Sequence, residues 1–220
     1  MINLTELQQD AIIELLNIGI SRAASALSQM VGEEVYVSIP SVDLLSRHEV
    51  AVLIMEKNSE RIIAVQQQFS GLFWGDAMLI FPEEKSLELV HSLIQDTFPR
   101  EIRTAMEREA FMEIGNIILN ACIGTISNIL NSEVSCSLPL LLRGSCTDIF
   151  DDKPDAQPEE VAVFLGMDFA LQERSIKGCI VCIIEGNAIK VLRENIDHFL
   201  DHIWVQRLDN DDQGLSLIHI

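Results

Sequence analysis

Positive charge is scarce in this 220-residue sequence. Fifteen Lys and Arg stand against 34 Asp and Glu, a formal net charge of −19. A surface of that sign repels phosphate backbones and anionic headgroups, which argues against nucleic acid or a membrane surface as partner. It leaves protein partners, whose encounter such charge can steer. Long apolar runs are also lacking. None reaches the roughly 18 residues of a membrane span, and no basic stretch precedes an apolar run at the start, as a secretory signal requires. A cytoplasmic location is expected. The five cysteines (Cys122, Cys136, Cys146, Cys179, Cys182) are odd in number and irregular in spacing, which suits reduced thiols and not a disulfide framework.

No metal centre of its own is expected either. Cys179 and Cys182 are three apart in an apolar strand-like run and so face opposite ways, as core thiols. His198 and His202 sit beside Asp197 and Asp201 on what reads as a solvated helix face. Asp209 to Gly214 resembles a calcium loop only superficially, because Gln213 and Ile220 occupy ligand positions.

What the sequence does have is a repeat, at an offset of 99 residues (Asn17 to Asn116). Asp10 to Pro40 aligns with Glu109 to Pro139. Each copy opens with a long amphipathic helix, through Ile12, Leu16, Ile20, Ala23, Leu27 and Met30 in the first and Phe111, Leu119, Cys122, Ile126 and Leu130 in the second. Gly32 and Asn131, the residue types that tolerate a left-handed C-cap, follow these helices. A strand of period two comes next and ends at Pro40 or Pro139. Further on, residues 62–69 resemble 162–169 and residues 75–81 resemble 178–184, as strand pairs. Helices over 82–95 and 188–205 close the halves, and residues 143–160 read as an exposed loop. The expectation is an α+β fold, a single domain over 1–205 made of repeats at about 5–98 and 104–203. Its sheet is mostly antiparallel with helices packed over it, and 206–220 form an acidic then apolar tail.

The opposite faces of the two long helices carry the candidate site. One runs Asp10, Glu14, Asn17, Ser21, Ala24, Ser28; the other Glu109, Glu113, Asn116, Asn120, Ile123, Ser127. Steps of four and three place each set in one line. A single Glu-x-x-Asn is usually a solvated helix face. Asn is nonetheless a poor mid-helix residue, and here it recurs at matched positions with 22 residues between it and a proline in both copies. Beyond the Glu and Asn the first stripe turns small, which lets a partner's backbone approach at Ser21 and Ala24; Asn120 takes the equivalent role in the second.

These residues resemble the signature of the CheC/CheX/FliY phosphatases of bacterial chemotaxis: Asp or Ser, three residues, Glu, two residues, Asn, 22 residues, Pro. Asp10-Glu14-Asn17-Pro40 matches throughout; Glu109-Glu113-Asn116-Pro139 departs only at Glu109. Two signatures, over about residues 5–203, resemble CheC more than CheX. The resemblance implies a phosphatase acting on the aspartyl phosphate of a CheY-type response regulator, with Glu14, Asn17, Glu113 and Asn116 catalytic and Asp10, Glu109, Pro40 and Pro139 in support. It implies no cofactor of the chain's own, since the receiver supplies Mg²⁺, and it brings in the deamidase CheD as a second partner. The rival expectation is a binding module that docks CheD or, like FliM, serves the flagellar switch. The complete first signature makes the first half the one expected to be at least as active.

Overall fold

In a computed structural model, the described residues are 4–57, 61–71, 74–86, 100–150, 160–171 and 174–215. Helix α1 (Glu6–Val31) begins in a capping box. The Thr5 side chain accepts from the Gln8 N–H, and Gln8 Oε1 accepts from the Thr5 N–H. It ends at Gly32, whose φ of 74° is left-handed. Helix α3 (Arg100–Ile129) ends in the same way at Asn131, with φ 47°. Both C-caps are as the sequence predicts.

The remaining elements are β1 (Val35–Leu45), α2 (Arg47–Lys57), β2 (Arg61–Gly71), β3 (Gly75–Pro82), β4 (Val134–Cys136), β5 (Leu140–Ser145), α4 (Cys146–Phe150), β6 (Glu160–Leu171), β7 (Arg174–Glu185) and α5 (Gly186–Leu215). The strands form one seven-stranded sheet in the order β1-β6-β7-β3-β2-β4, with β5 also on β2, and every described pairing is antiparallel. The fold is therefore the expected mixed α+β. Its repeats exchange strands. β1 of the first repeat pairs with β6 of the second (Val35 opposite Leu171), while β4 and β5 of the second pair with β2 of the first (Phe69 opposite Cys136, Gln66 opposite Leu140). The repeats meet where β3 lies on β7.

Alternation along the strands makes two cores. Ile63, Val65, Leu79, Leu165 and Ile180 face one way, under α1, α3 and the start of α5. Ile62, Ala64, Ile80, Phe164 and Val181 face the other way, under α2 and α4. Each Leu or Ile taken fully out of water contributes about 1.5–3 kcal/mol. Cys182 lies in the first core and Cys179 in the second, on opposite faces as their spacing requires. Burial pushes the Cys182 thiol up to about 12 and Cys122 well above its ordinary value, so both are inert packing groups.

Several expectations need correction. β1 does not end at Pro40 but bulges there and continues to Leu45. Residues 143–150 are not loop: they finish β5 and form α4, the counterpart of α2. The last helix runs on through Asp209–Gly214 to Leu215. Met30 is exposed, and Ile123, placed on the polar stripe, is buried. Pro82 does not open a helix but ends β3, and residues 83–86 are helical; residues 87–95, residues 151–159 and the tail after 215 lie outside the described residues. By length and composition, Glu6–Val31 and Ala105–Ile129 could each cross a bilayer. Their buried faces instead cover the sheet.

Candidate functional site

Each long helix lays its Glu-x-x-Asn line beside the bulge that follows in its own repeat. Pro40 and Pro139 explain the bulges, since a proline has no N–H for the ladder. In β1, Ser38 opposes Asp168 and Ser41 opposes Gly166, so Ile39 and Pro40 together face Met167. In the second repeat, Cys136 opposes Phe69 and Leu140 opposes Gln66. The Ser137 N–H donates to Gln68 O at 2.8 Å, leaving Leu138 and Pro139 to face Gln67. The two bulges are the same device in the same place.

Their hydrogen bonds differ. In the first repeat, Asn17 Nδ2 donates to Ile39 O (2.9 Å) and Asn17 Oδ1 accepts from the Ile39 N–H (2.8 Å). The amide is used at both ends to bond the two backbone groups of the one residue, Ile39, at the bulge. Ile39 itself is fully buried. In the second repeat, Asn116 makes no such pair with Leu138, the counterpart of Ile39. Asn116 Oδ1 accepts from Gln67 Nε2 (3.0 Å) and from Asn120 Nδ2 (2.9 Å). Asn116 Nδ2 has no hydrogen-bond partner among the described residues. Leu138 points outward, 90% exposed.

The result is an open cavity of about 520 Å³ over the second signature, lined by Glu109, Glu113, Asn116, Asn120, Gln67 and Pro139, with Leu138 at its rim. Glu113 and Glu109 are exposed there, as Glu14 and Asp10 are on α1. The structure thus brings Glu109, Glu113, Asn116, Asn120 and Pro139 together at one opening. Of the residues singled out for partner contact, Ser21 donates its hydroxyl to the Asn17 carbonyl at 2.8 Å within α1. Ala24 is half-buried. Ser28 accepts from the Val35 N–H at 2.9 Å, and Ser127 bonds the Ser132 carbonyl. Ser28 and Ser127 anchor the chain that follows each helix, a structural task.

Sequence reasoning missed Gln67. It is 1% exposed, in a strand whose preceding residues Ile62–Val65 are all apolar. Its counterpart in the second repeat is Met167, and a polar-for-apolar exchange between two otherwise matched strands was the available signal. Among the described residues, no group of three or more His, Cys, Asp or Glu is placed to hold a metal.

No family model matches the chain. CheC1 of Halobacterium salinarum, provisionally named a CheY-P phosphatase, is 22% identical over 178 residues, covering 80% of this chain and 89% of that protein. The flagellar motor switch phosphatase FliY of Bacillus subtilis is 22% identical over 157 residues, 69% of this chain but 39% of FliY. The crystal structure of Thermotoga maritima FliY has the same fold, with a TM-score of 0.64 at 20% identity over 89% of this chain and 98% of that one. The chain is thus similar over most of its length to a CheC protein and to FliY, and it shares the fold of the FliY structure.

Proposed function

We propose that this CheC-type chain is a cytoplasmic phosphatase that removes the aspartyl phosphate of a CheY-type receiver, and that its second repeat carries the reaction. One observation supports this reading above the others: Asn116 opens onto a cavity beside Glu113 with Nδ2 unbonded among the described residues, whereas both ends of the Asn17 amide are bonded to Ile39.

Phosphoryl transfer asks a catalyst mainly to position groups and to match developing charge. The receiver brings the phosphoaspartate, a Mg²⁺ ion and a lysine, so the phosphatase needs neither a metal ligand nor a nucleophile of its own. Asn116 enters beside the phosphoryl group and holds the attacking water in line by donating from Nδ2. Water attacks phosphorus, the aspartate carboxylate leaves, and inorganic phosphate is released. Glu113 pairs with the receiver lysine and fixes the approach. Glu109, one turn back on an exposed face, adds to a negative rim that attracts the same lysine. Leu138 supplies apolar contact at the edge.

The test is the decay of a phosphorylated CheY-type receiver with and without this protein. Acceleration by wild type, reduced on the order of 10²-fold in Asn116→Ala, supports the reading. Decay unchanged by wild-type protein overturns it.

A further inference from the structure

We infer that Gln67 is the positioning residue that presents Asn116, and that the exchange of Gln67 for Met167 between repeats makes one site open and the other closed. Its catalytic consequence rests on the phosphatase reading above; the orientation of Asn116 does not.

Ser137 O can only accept, and Gln67 Nε2 lies 3.1 Å from it. That fixes the nitrogen end of the Gln67 amide toward Ser137. The same nitrogen is 3.0 Å from Asn116, so the Asn116 atom facing it has to be the acceptor, Oδ1. Asn120 Nδ2 donates to that oxygen as well. With Oδ1 held from two sides, Nδ2 is turned away from the strand. One peptide carbonyl in the bulge therefore sets the direction of a donor on the helix, with Gln67 as the intermediary.

The first repeat shows the outcome without that intermediary. Met167, 2% exposed, fills the equivalent place and has no donor to offer. Asn17 turns to the bulge instead and pairs with both backbone groups of Ile39. Ile39 is buried there, and both ends of the Asn17 amide are held against the strand instead of one end being left without a bond. In the second repeat the Leu138 carbonyl accepts instead from the Ser137 hydroxyl at 3.1 Å, and Leu138 stands in solvent. Gln67 also carries a cost that packing alone does not explain: its Oε1 is buried without a hydrogen-bond partner among the described residues. Methionine at this position removes that cost, as Met167 does in the other repeat. A buried Gln that is half unsatisfied fits a role in holding Asn116 better than a role in stability.

The experiment uses the full chain with Gln67→Met, close in volume to Gln, and Gln67→Glu, which keeps the shape but replaces the donor by an acceptor. Folding is checked by circular dichroism. The side-chain amide resonances of Asn116 are followed by ¹⁵N NMR, and kcat and KM are measured with a phosphorylated CheY-type receiver. Both variants are expected to shift the Asn116 amide and to lower kcat about tenfold or more, with KM within about twofold. An unmoved Asn116 amide, or wild-type kcat in a folded variant, overturns the inference. If wild-type protein fails to accelerate decay, the phosphatase reading falls, and the NMR arm still decides whether Gln67 orients Asn116. Should neither variant fold, Gln67 serves stability and the inference is likewise overturned.

Discussion

Ile39 and Leu138 occupy the same place in the two repeats, yet Ile39 is 0% exposed and Leu138 is 90% exposed. Both precede the proline of a bulge. One is pulled into the core by Asn17, the other is thrown out over a cavity. Truncation should therefore have opposite signatures. Ile39→Ala is expected to cost about 2–5 kcal/mol in denaturant unfolding, as a core deletion. Leu138→Ala should stay within about 0.5 kcal/mol while raising KM for a receiver.

Asn17→Ala leaves the N–H and C=O of a buried residue without partners. Each orphaned group costs about 1–3 kcal/mol, so a loss of roughly 2–4 kcal/mol is expected from urea unfolding. The same substitution at Asn116 should cost much less, since its bonds are to side chains at an open edge.

Gly115 lies between Glu113 and Asn116 on α3. A Cβ there would stand 2.5 Å from Val65 Cβ and Cγ1. Val65 is buried and β-branched, so it has little room to turn. The missing side chain is what lets α3 sit on β2 closely enough for Asn116 to reach Gln67. Gly115→Ala is expected to destabilise by about 1–3 kcal/mol and to lower kcat, read by thermal unfolding beside phosphate release.

The two long helices, their C-caps and the strand pairs were legible because they follow from periodicity and from Gly32 and Asn131, whereas α2 was not foreseen. The lines of Glu and Asn were legible for the same reason. What a linear comparison could not yield was the exchange of strands between repeats. That exchange puts Gln67 of the first repeat against Asn116 of the second, a contact 49 residues apart. The more complete signature, Asp10-Glu14-Asn17-Pro40, suggested that the first half is at least as active, whereas the function proposed above favours the second. Glu109 in place of Asp is an exposed difference of one methylene, whereas Gln67 against Met167 is a buried difference in hydrogen bonding. The second decides where the amide points. Residues 143–150 were misread because Asp and Pro just beyond them suggested a loop, although Cys146 and Phe150 are both buried under the sheet.

Glu83 gives the fold an acid-sensitive tie. Burial pushes its carboxyl up, but bonds from Arg143 and Arg61 outweigh burial and hold it below its ordinary value of 4.5. A depressed carboxyl contributes stability above its unfolded value and loses it as pH falls through the folded one. Unfolding free energy should therefore drop as pH falls below about 4.5, and Glu83→Gln should flatten that part of the curve. Equal pH slopes in the two proteins would contradict the assignment.

The central claim is that the second repeat alone presents a working amide. Its most direct test is the decay rate of a phosphorylated CheY-type receiver with Asn17→Ala and with Asn116→Ala, each at a temperature where it is folded. The account predicts near wild-type acceleration by folded Asn17→Ala and loss of nearly all acceleration in Asn116→Ala. Equal losses in both, or the greater loss in Asn17→Ala, would contradict it.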